Sequence, residues 1–290
     1  MRTKIIILLV VLLAVPLTAC AQRHAPRPSV DAWSALRLLA HQPPGPARLE
    51  ARALRDCLRR QGFNPPLTRP FYGSVENLPM PIDDSGAHGY GDRLPRGADQ
   101  VEDPITRYAR SLPAPNRAAL AQTIDPKTSQ TWYTTPDGRR VGSATSGCMA
   151  AAHIAAYGSV LDWLMIYYLP QDLNNEAADT YRDGRVQRAG QAYHACMSAA
   201  GYLARYPQDA IRTAQQWSTH AAYPTQVPER EIRLATADAR CQASTHLTAA
   251  IDAAFEARSA GWLSRNATAV LRAAATLRSH SSRHPTAAAT

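Results

Sequence analysis

Apolar residues along this chain recur mostly at steps of three and four, the spacing that gathers them on one face of a helix. Val30–His41 and Ala47–Gln61 carry that pattern. In the second segment Ala51, Leu54, Cys57 and Leu58 share a face, while Arg52, Arg55, Arg59 and Arg60 point elsewhere and Gly62 follows as a C-cap. From Ser146 onward the pattern strengthens. Ala151, Ile154, Gly158, Leu161, Met165 and Tyr168 mark the stripe of an apolar segment, Met149–Leu169, interrupted by His153, Ser159 and Asp162. A buried central helix is expected there. The rival, a membrane helix, would place Asp162 in lipid at a cost of about 2.5–3.5 kcal/mol, and the run holds Ala, Gly and Tyr rather than Leu.

Asp172–Ala200 predicts another helix, with Val186, Ala189, Tyr193, Cys196 and Ala200 on one stripe and Gly201 ending it. Pro207–Ala221 predicts a shorter one. Pro228 suits the first turn of a long helix, with Glu229 and Glu231 at its positive end. That helix should run through Cys241, continue along Leu247, Ile251, Ala254 and Phe255, and reach Ser279 by Val270, Ala274 and Leu277, with a break near Gly261.

Proline and glycine divide the remainder. Residues 62–145 hold 11 of the 22 Pro and 8 of the 15 Gly, whereas residues 146–284 hold only Pro170, Pro207, Pro224 and Pro228. The earlier region should therefore be largely irregular. Short helices fit Asp103–Leu112 and Asn116–Thr123. Gln130–Thr135 and Arg139–Ser143 flank Pro136-Asp137-Gly138, the signal of a small hairpin. The expected fold is mainly α: a disulfide-stapled helical bundle with a Pro/Gly-rich irregular segment and one small β-hairpin.

The N-terminus changes the setting. Arg2 and Lys4 precede Ile5–Leu17, an uncharged run of 13 residues. A spanning helix needs roughly 20, so the run reads as a signal-peptide core. It ends in Leu17-Thr18-Ala19-Cys20, similar to the lipobox of bacterial lipoproteins, which implies cleavage before Cys20 and lipid on its thiol. An ordinary secretory signal with a chance cysteine is the plainer alternative. The expected organisation is a signal peptide at 1–19, a tether at 20–29, N-terminal helices with the irregular region at 30–145, a helical bundle at 146–280 and a disordered tail at 281–290. The low-complexity character of that tail begins at Ser279.

The chain carries a formal charge of +9, with 32 basic residues of which only Lys4 and Lys127 are lysine. That arginine skew, beside many alanines, reflects a GC-rich genome. Removing residues 1–19 takes away Arg2 and Lys4 and no acid, leaving +7. Outside the cell the available polyanions are lipid head groups and cell-wall polymers, so nucleic acid is not an expected partner.

With Cys20 lipidated, Cys57, Cys148, Cys196 and Cys241 remain, an even number in an oxidising compartment. Three pairings exist. Cys57-Leu-Arg-Arg-Gln-Gly62-Phe63 resembles Cys196-Met-Ser-Ala-Ala-Gly201-Tyr202, and each segment precedes a further cysteine inside a later helix. The simplest pairing is Cys57–Cys148 with Cys196–Cys241. An ancient duplication and a chance likeness of two common helix ends both account for the matched spacing.

These positions, with Gly147-Cys148 opening a helix that ends Ala156-Tyr157-Gly158, and with Ala237-Asp238-Ala239-Arg240-Cys241, resemble a set of predicted actinobacterial secreted lipoproteins. Tyr72-Gly73, Gly89-Tyr90-Gly91 and Asn266 echo it further. The resemblance implies an extracytoplasmic, lipid-anchored location and no catalytic residue. An acidic residue often follows the Gly-Cys pair in that set; here Ala150-Ala151-Ala152 stands there, which weighs against a carboxylate doing chemistry at that place.

Catalytic templates are absent. There is no Gly-x-Ser-x-Gly, no His-Glu-x-x-His and no paired Cys-x-x-Cys. Gly142–Gly147 reads as a loop with Ser146 as N-cap, and Gly89-Tyr90-Gly91 lacks the context of a nucleotide loop. His153 and His194 read as core or boundary residues, His280 and His284 as tail residues, and Asp83, Asp84 and His88 as a solvated turn. Asn266-Ala-Thr268 matches a glycosylation sequon but falls in a helix. No metal or cofactor is expected. The expected function is a non-catalytic binding or scaffolding lipoprotein at the outer face of the membrane. The alternatives are a wall-acting enzyme and a small-ligand module with a site between the irregular region and the helices.

Overall fold

The computed structural model describes residues 28–66, 78, 89–90, 104–219 and 227–283. Ser29 caps α1 (Val30–Ala40), its hydroxyl accepting from the Ala32 N–H at 3.1 Å. The prolines at 43, 44 and 46 open α2 (Pro44–Arg60), where a missing N–H costs nothing. Then come α3 (Pro104–Ser111) and α4 (Ala114–Ile124). The antiparallel hairpin of β1 (Gln130–Thr134) and β2 (Arg140–Ala144) follows, in the register Gln130↔Ala144. Gly138, at φ +87°, closes its turn by donating to the Thr135 carbonyl. The described residues are mainly helical with one small hairpin, as the sequence pattern predicts.

The expected central helix is two helices. α5 (Gly147–Tyr157) is followed by α6 (Val160–Tyr168), and the helical segment Val160–Thr180 that α6 opens is bent by 74° from α5. Gly158 takes φ +89° as the C-cap of α5, and the Ser159 hydroxyl accepts from the Asp162 N–H to start α6. Among the described residues no single helix is long and apolar enough to cross a membrane, although this bent pair has the length and composition. The stripe expected from the sequence changes side over α5 and the start of α6. Ala151, Ile154, Gly158 and Leu161 face outward, with Ile154 48% exposed, while Ala152, His153, Ala156 and Tyr157 are buried; further along the same stripe Met165 is buried as expected.

A 3-10 turn (Pro170–Leu173) leads into α7 (Asn174–Thr180), and Asp183 then caps α8 (Gly184–Ala199) through the Arg185 N–H. The single helix expected over Asp172–Ala200 is thus divided around Tyr181–Asp183. α9 (Pro207–Thr219), α10 (Glu229–Ser244) and α11 (Leu247–Arg283) complete the chain. The break expected near Gly261 lies instead at His246, whose φ is +53°. There the Thr245 hydroxyl turns back to the Cys241 carbonyl, while Gly261 sits inside an uninterrupted 37-residue helix. Helix continues through Ser279 to Arg283, where a tail was expected.

The main core packs α1 against α11 and draws in α8 and α10 through Leu36, Leu39, Tyr193, Met197, Leu234 and Ile251. A smaller cluster, Leu54, Leu58, Leu120, Cys148 and Ala152, joins α2 to α4 and α5. Cys57 is bridged to Cys148 across this cluster, and Cys196 to Cys241 between α8 and α10, with Cα separations of 5.5 and 5.7 Å. The ends of α2 and α8 are alike. Gly62 and Gly201 take φ +84° and +86°, and the N–H groups of Phe63 and Tyr202 reach back to Leu58 and Met197. Their partners are not alike, because Cys148 lies in the first turn of α5 and Cys241 in the last turn of α10.

Candidate functional site

Two clefts and one buried network gather the polar chemistry. The first cleft, about 370 Å³, lies between α2, α5, α6 and the hairpin. Glu50 of α2 reaches His153 Nε2 at 3.3 Å and accepts from the Tyr157 hydroxyl. Burial first, then the Glu50 charge, pushes the Tyr157 phenol well above its ordinary range. The His153 ring stacks on Trp163 with centroids 3.7 Å apart and planes 11° from parallel. Its other nitrogen, Nδ1, is buried without a partner. Because Nε2 faces a carboxylate, hydrogen-bond geometry assigns a proton there. His153 is thus a core residue, as its apolar helix suggests, but one half satisfied.

The second cleft, about 710 Å³ and more polar, is bounded by the hairpin turn, the 3-10 turn, α7 and α11. Arg139 joins Asp137 to Asp172, donating to Asp172 Oδ1 at 3.0 Å. A hydrogen bond from Thr135 and the Arg139 guanidinium pull the Asp137 carboxyl down to about 2. Burial pushes Asp172 the other way, against the opposing pull of Arg139. Asp172 Oδ2 and Glu176 Oε2 are buried without partners, and Trp262 supplies an apolar wall.

The network centres on Asp238, which is fully buried. It accepts from the hydroxyls of Tyr90 and Tyr193 at 2.9 and 2.8 Å and from the Gln242 amide at 2.7 Å. Burial raises its proton affinity and those three donors lower it, with burial the larger effect. Beside it the Tyr90 N–H donates to Glu231 Oε1 at 3.2 Å. Gly89, at φ +55°, approaches so closely that an added Cβ would lie 2.8 Å from that oxygen. The Gly89-Tyr90 and Ala237–Cys241 segments, separate in the sequence, meet here. With Tyr193, Glu231 and Asp238 fully buried, the network orders the fold.

Other sequence candidates fall apart in space. His194 Nδ1 pairs with the Ala204 carbonyl, and His280 Nδ1 lies 3.0 Å from the Thr276 carbonyl. Ser146 occupies the N-cap of α5 without a side-chain cap bond. The Asn266 amide donates to the Trp262 carbonyl within α11. Cys20, Asp83, Asp84, His88 and His284 lie outside the described residues. Among the described residues no three of His, Cys, Asp and Glu are grouped to hold a metal. Glu50, Trp163, Asp172 and Glu176 were not singled out from the sequence. The signal for Glu50 was an acid in the second turn of an otherwise Arg-studded helix. No protein-family model matches the chain, and neither a curated protein nor a solved structure is significantly similar to it.

Proposed function

We propose that this chain is a cell-envelope lipoprotein, hung from the outer face of the membrane by lipid on Cys20, whose helical body binds a ligand and does no chemistry on it. The observation that carries the reading is the use of four of the five cysteines in two bridges. Such pairing suits an oxidising compartment and leaves Cys20, after its apolar leader, as the remaining thiol. The half-open aromatic cleft beside His153 supports binding, since it has the size and apolar character of a ligand pocket. The basic surface remains available to anionic lipid head groups or wall polymers. Mass spectrometry of protein purified from membranes tests the anchor. Loss of residues 1–19 with acyl mass on Cys20 is expected, and an unmodified Cys20 peptide overturns it.

A second reading, an enzyme acting on wall glycans, is favoured by one observation. Asp137 and Asp172 meet at Arg139 from distant segments and have their proton affinities driven apart, as in acid–base pairs. Release of reducing ends from purified cell wall by the wild type, abolished in Asp172→Asn, would establish it. Under the binding reading the wild type releases none above a blank.

A further inference from the structure

The chemistry of the first cleft narrows what it takes. Trp163 and Tyr167 lie nearly parallel, with centroids 5.4 Å apart. Tyr168 stands across both, at 80° to Trp163 and 78° to Tyr167. Rings meeting at right angles turn their π faces in more than one direction, with one face of Trp163 taken by His153. Two carboxylates share the lining, Glu50 inside and Asp125 at the exposed mouth. The other polar groups of the lining, among them the Ser143 and Tyr168 hydroxyls, can each donate and accept. His153 Nδ1 is buried without a partner, and Gln42 spends one amide N–H on the Ile166 carbonyl. Among the described residues no Arg or Lys lines the cleft, in a chain with 32 basic residues.

An anion would meet two carboxylates and, among the described lining residues, no Arg or Lys to offset them. A neutral apolar molecule would fill the space but leave those carboxylates without a counter-charge. A bare metal ion would find too few ligands and far too much room. We infer that the cleft between α2, α5 and α6 is a binding site for a small organic ammonium ion, seated in the Trp163–Tyr167–Tyr168 corner with its charge towards Glu50. Cation–π attraction contributes more in a desolvated corner than on an open surface. This rests on the binding reading above and names the ligand class for that pocket.

Calorimetric titration of the full chain in dodecyl maltoside, with choline as the probe, tests it. Dimethylbutanol, the uncharged carbon isostere of choline, is the control, and acetate is the anion control. Choline should bind about tenfold or more tightly than dimethylbutanol, and acetate should not bind. Glu50→Gln should weaken choline about tenfold while leaving dimethylbutanol within about twofold. Glu50 also partners His153, so Asp125→Asn at the exposed mouth provides a variant that leaves the core intact, with an expected loss of about threefold. Equal binding of choline and its isostere would remove the cation and leave a general binding pocket. Choline binding unchanged in both variants, or no heat at about 10 mM choline, would overturn the site itself. None of these results bears on Cys20, whose acyl mass is read separately.

Discussion

The Tyr193 hydroxyl donates to Asp238 Oδ1 at 2.8 Å, joining the middle of α8 to the middle of α10 with both side chains fully buried. The Cys196–Cys241 bridge lies one turn further along both helices. A covalent and a polar link therefore fix the same helix pair, and Tyr90 brings a distant segment to the other carboxylate oxygen.

Tyr193→Phe should destabilise the fold by about 1–2 kcal/mol, since one buried hydrogen bond is lost and Asp238 keeps two donors. Asp238→Ala should cost about 3 kcal/mol or more, because it strands two hydroxyls and an amide. Urea unfolding followed by circular dichroism measures both. A smaller loss for Asp238→Ala than for Tyr193→Phe would contradict the central place given to the carboxylate.

The pH dependence has a definite sign. Burial holds the folded Asp238 carboxyl above its ordinary 3.8, so the folded state keeps a proton that the unfolded chain has released. The stabilising contribution is complete below 3.8 and is lost as pH rises towards the folded value. Wild type minus Asp238→Asn stability should therefore shrink from acid upward and then level off. A difference that grows with pH would refute the assignment.

Cutting the Cys57–Cys148 bridge removes a loop constraint of 91 residues, worth about 4–5 kcal/mol on the chain-entropy argument. The small cluster beneath it has few other contributors, so the loss should be local. In Cys57→Ser/Cys148→Ser, hydrogen exchange should rise across α3 and α4 more than across α8 and α10. Uniform acceleration would mean that the two clusters unfold as one.

Gly89→Ala should destabilise by about 1–3 kcal/mol, from the left-handed backbone and from the Cβ pressing on Glu231. Gly62→Ala shares the backbone penalty but has open space around it. Thermal unfolding should therefore place the Gly62 variant closer to wild type.

Helix content, the hairpin and the cysteine-bearing helix ends were legible because each is written locally, in apolar spacing, a Pro-Asp-Gly turn and a glycine five residues after a cysteine. The bend at Gly158 was hidden because apolar residues continue at helical spacing on both sides of it. Its signals, one glycine and one serine, are common inside helices. The outward turn of Ile154 and Leu161 was illegible for another reason. His153 and Tyr157 carry polar atoms, and hydropathy places such residues outside, yet Glu50 from another helix makes their burial favourable. Asp238 was more readable in principle, since it falls between Leu234 and Cys241 on a buried stripe, where a carboxylate needs partners.

The sequence by itself determined that this chain is helical, where the hairpin after α4 turns and which residues carry its thiols, because propensity and turn chemistry act within a few residues. Tertiary structure alone decided which face of α5 is buried, where α10 gives way to α11, and which side chains share a cleft. Those outcomes depend on whether a distant carboxylate, ring or hydroxyl arrives to satisfy a group that water would otherwise claim.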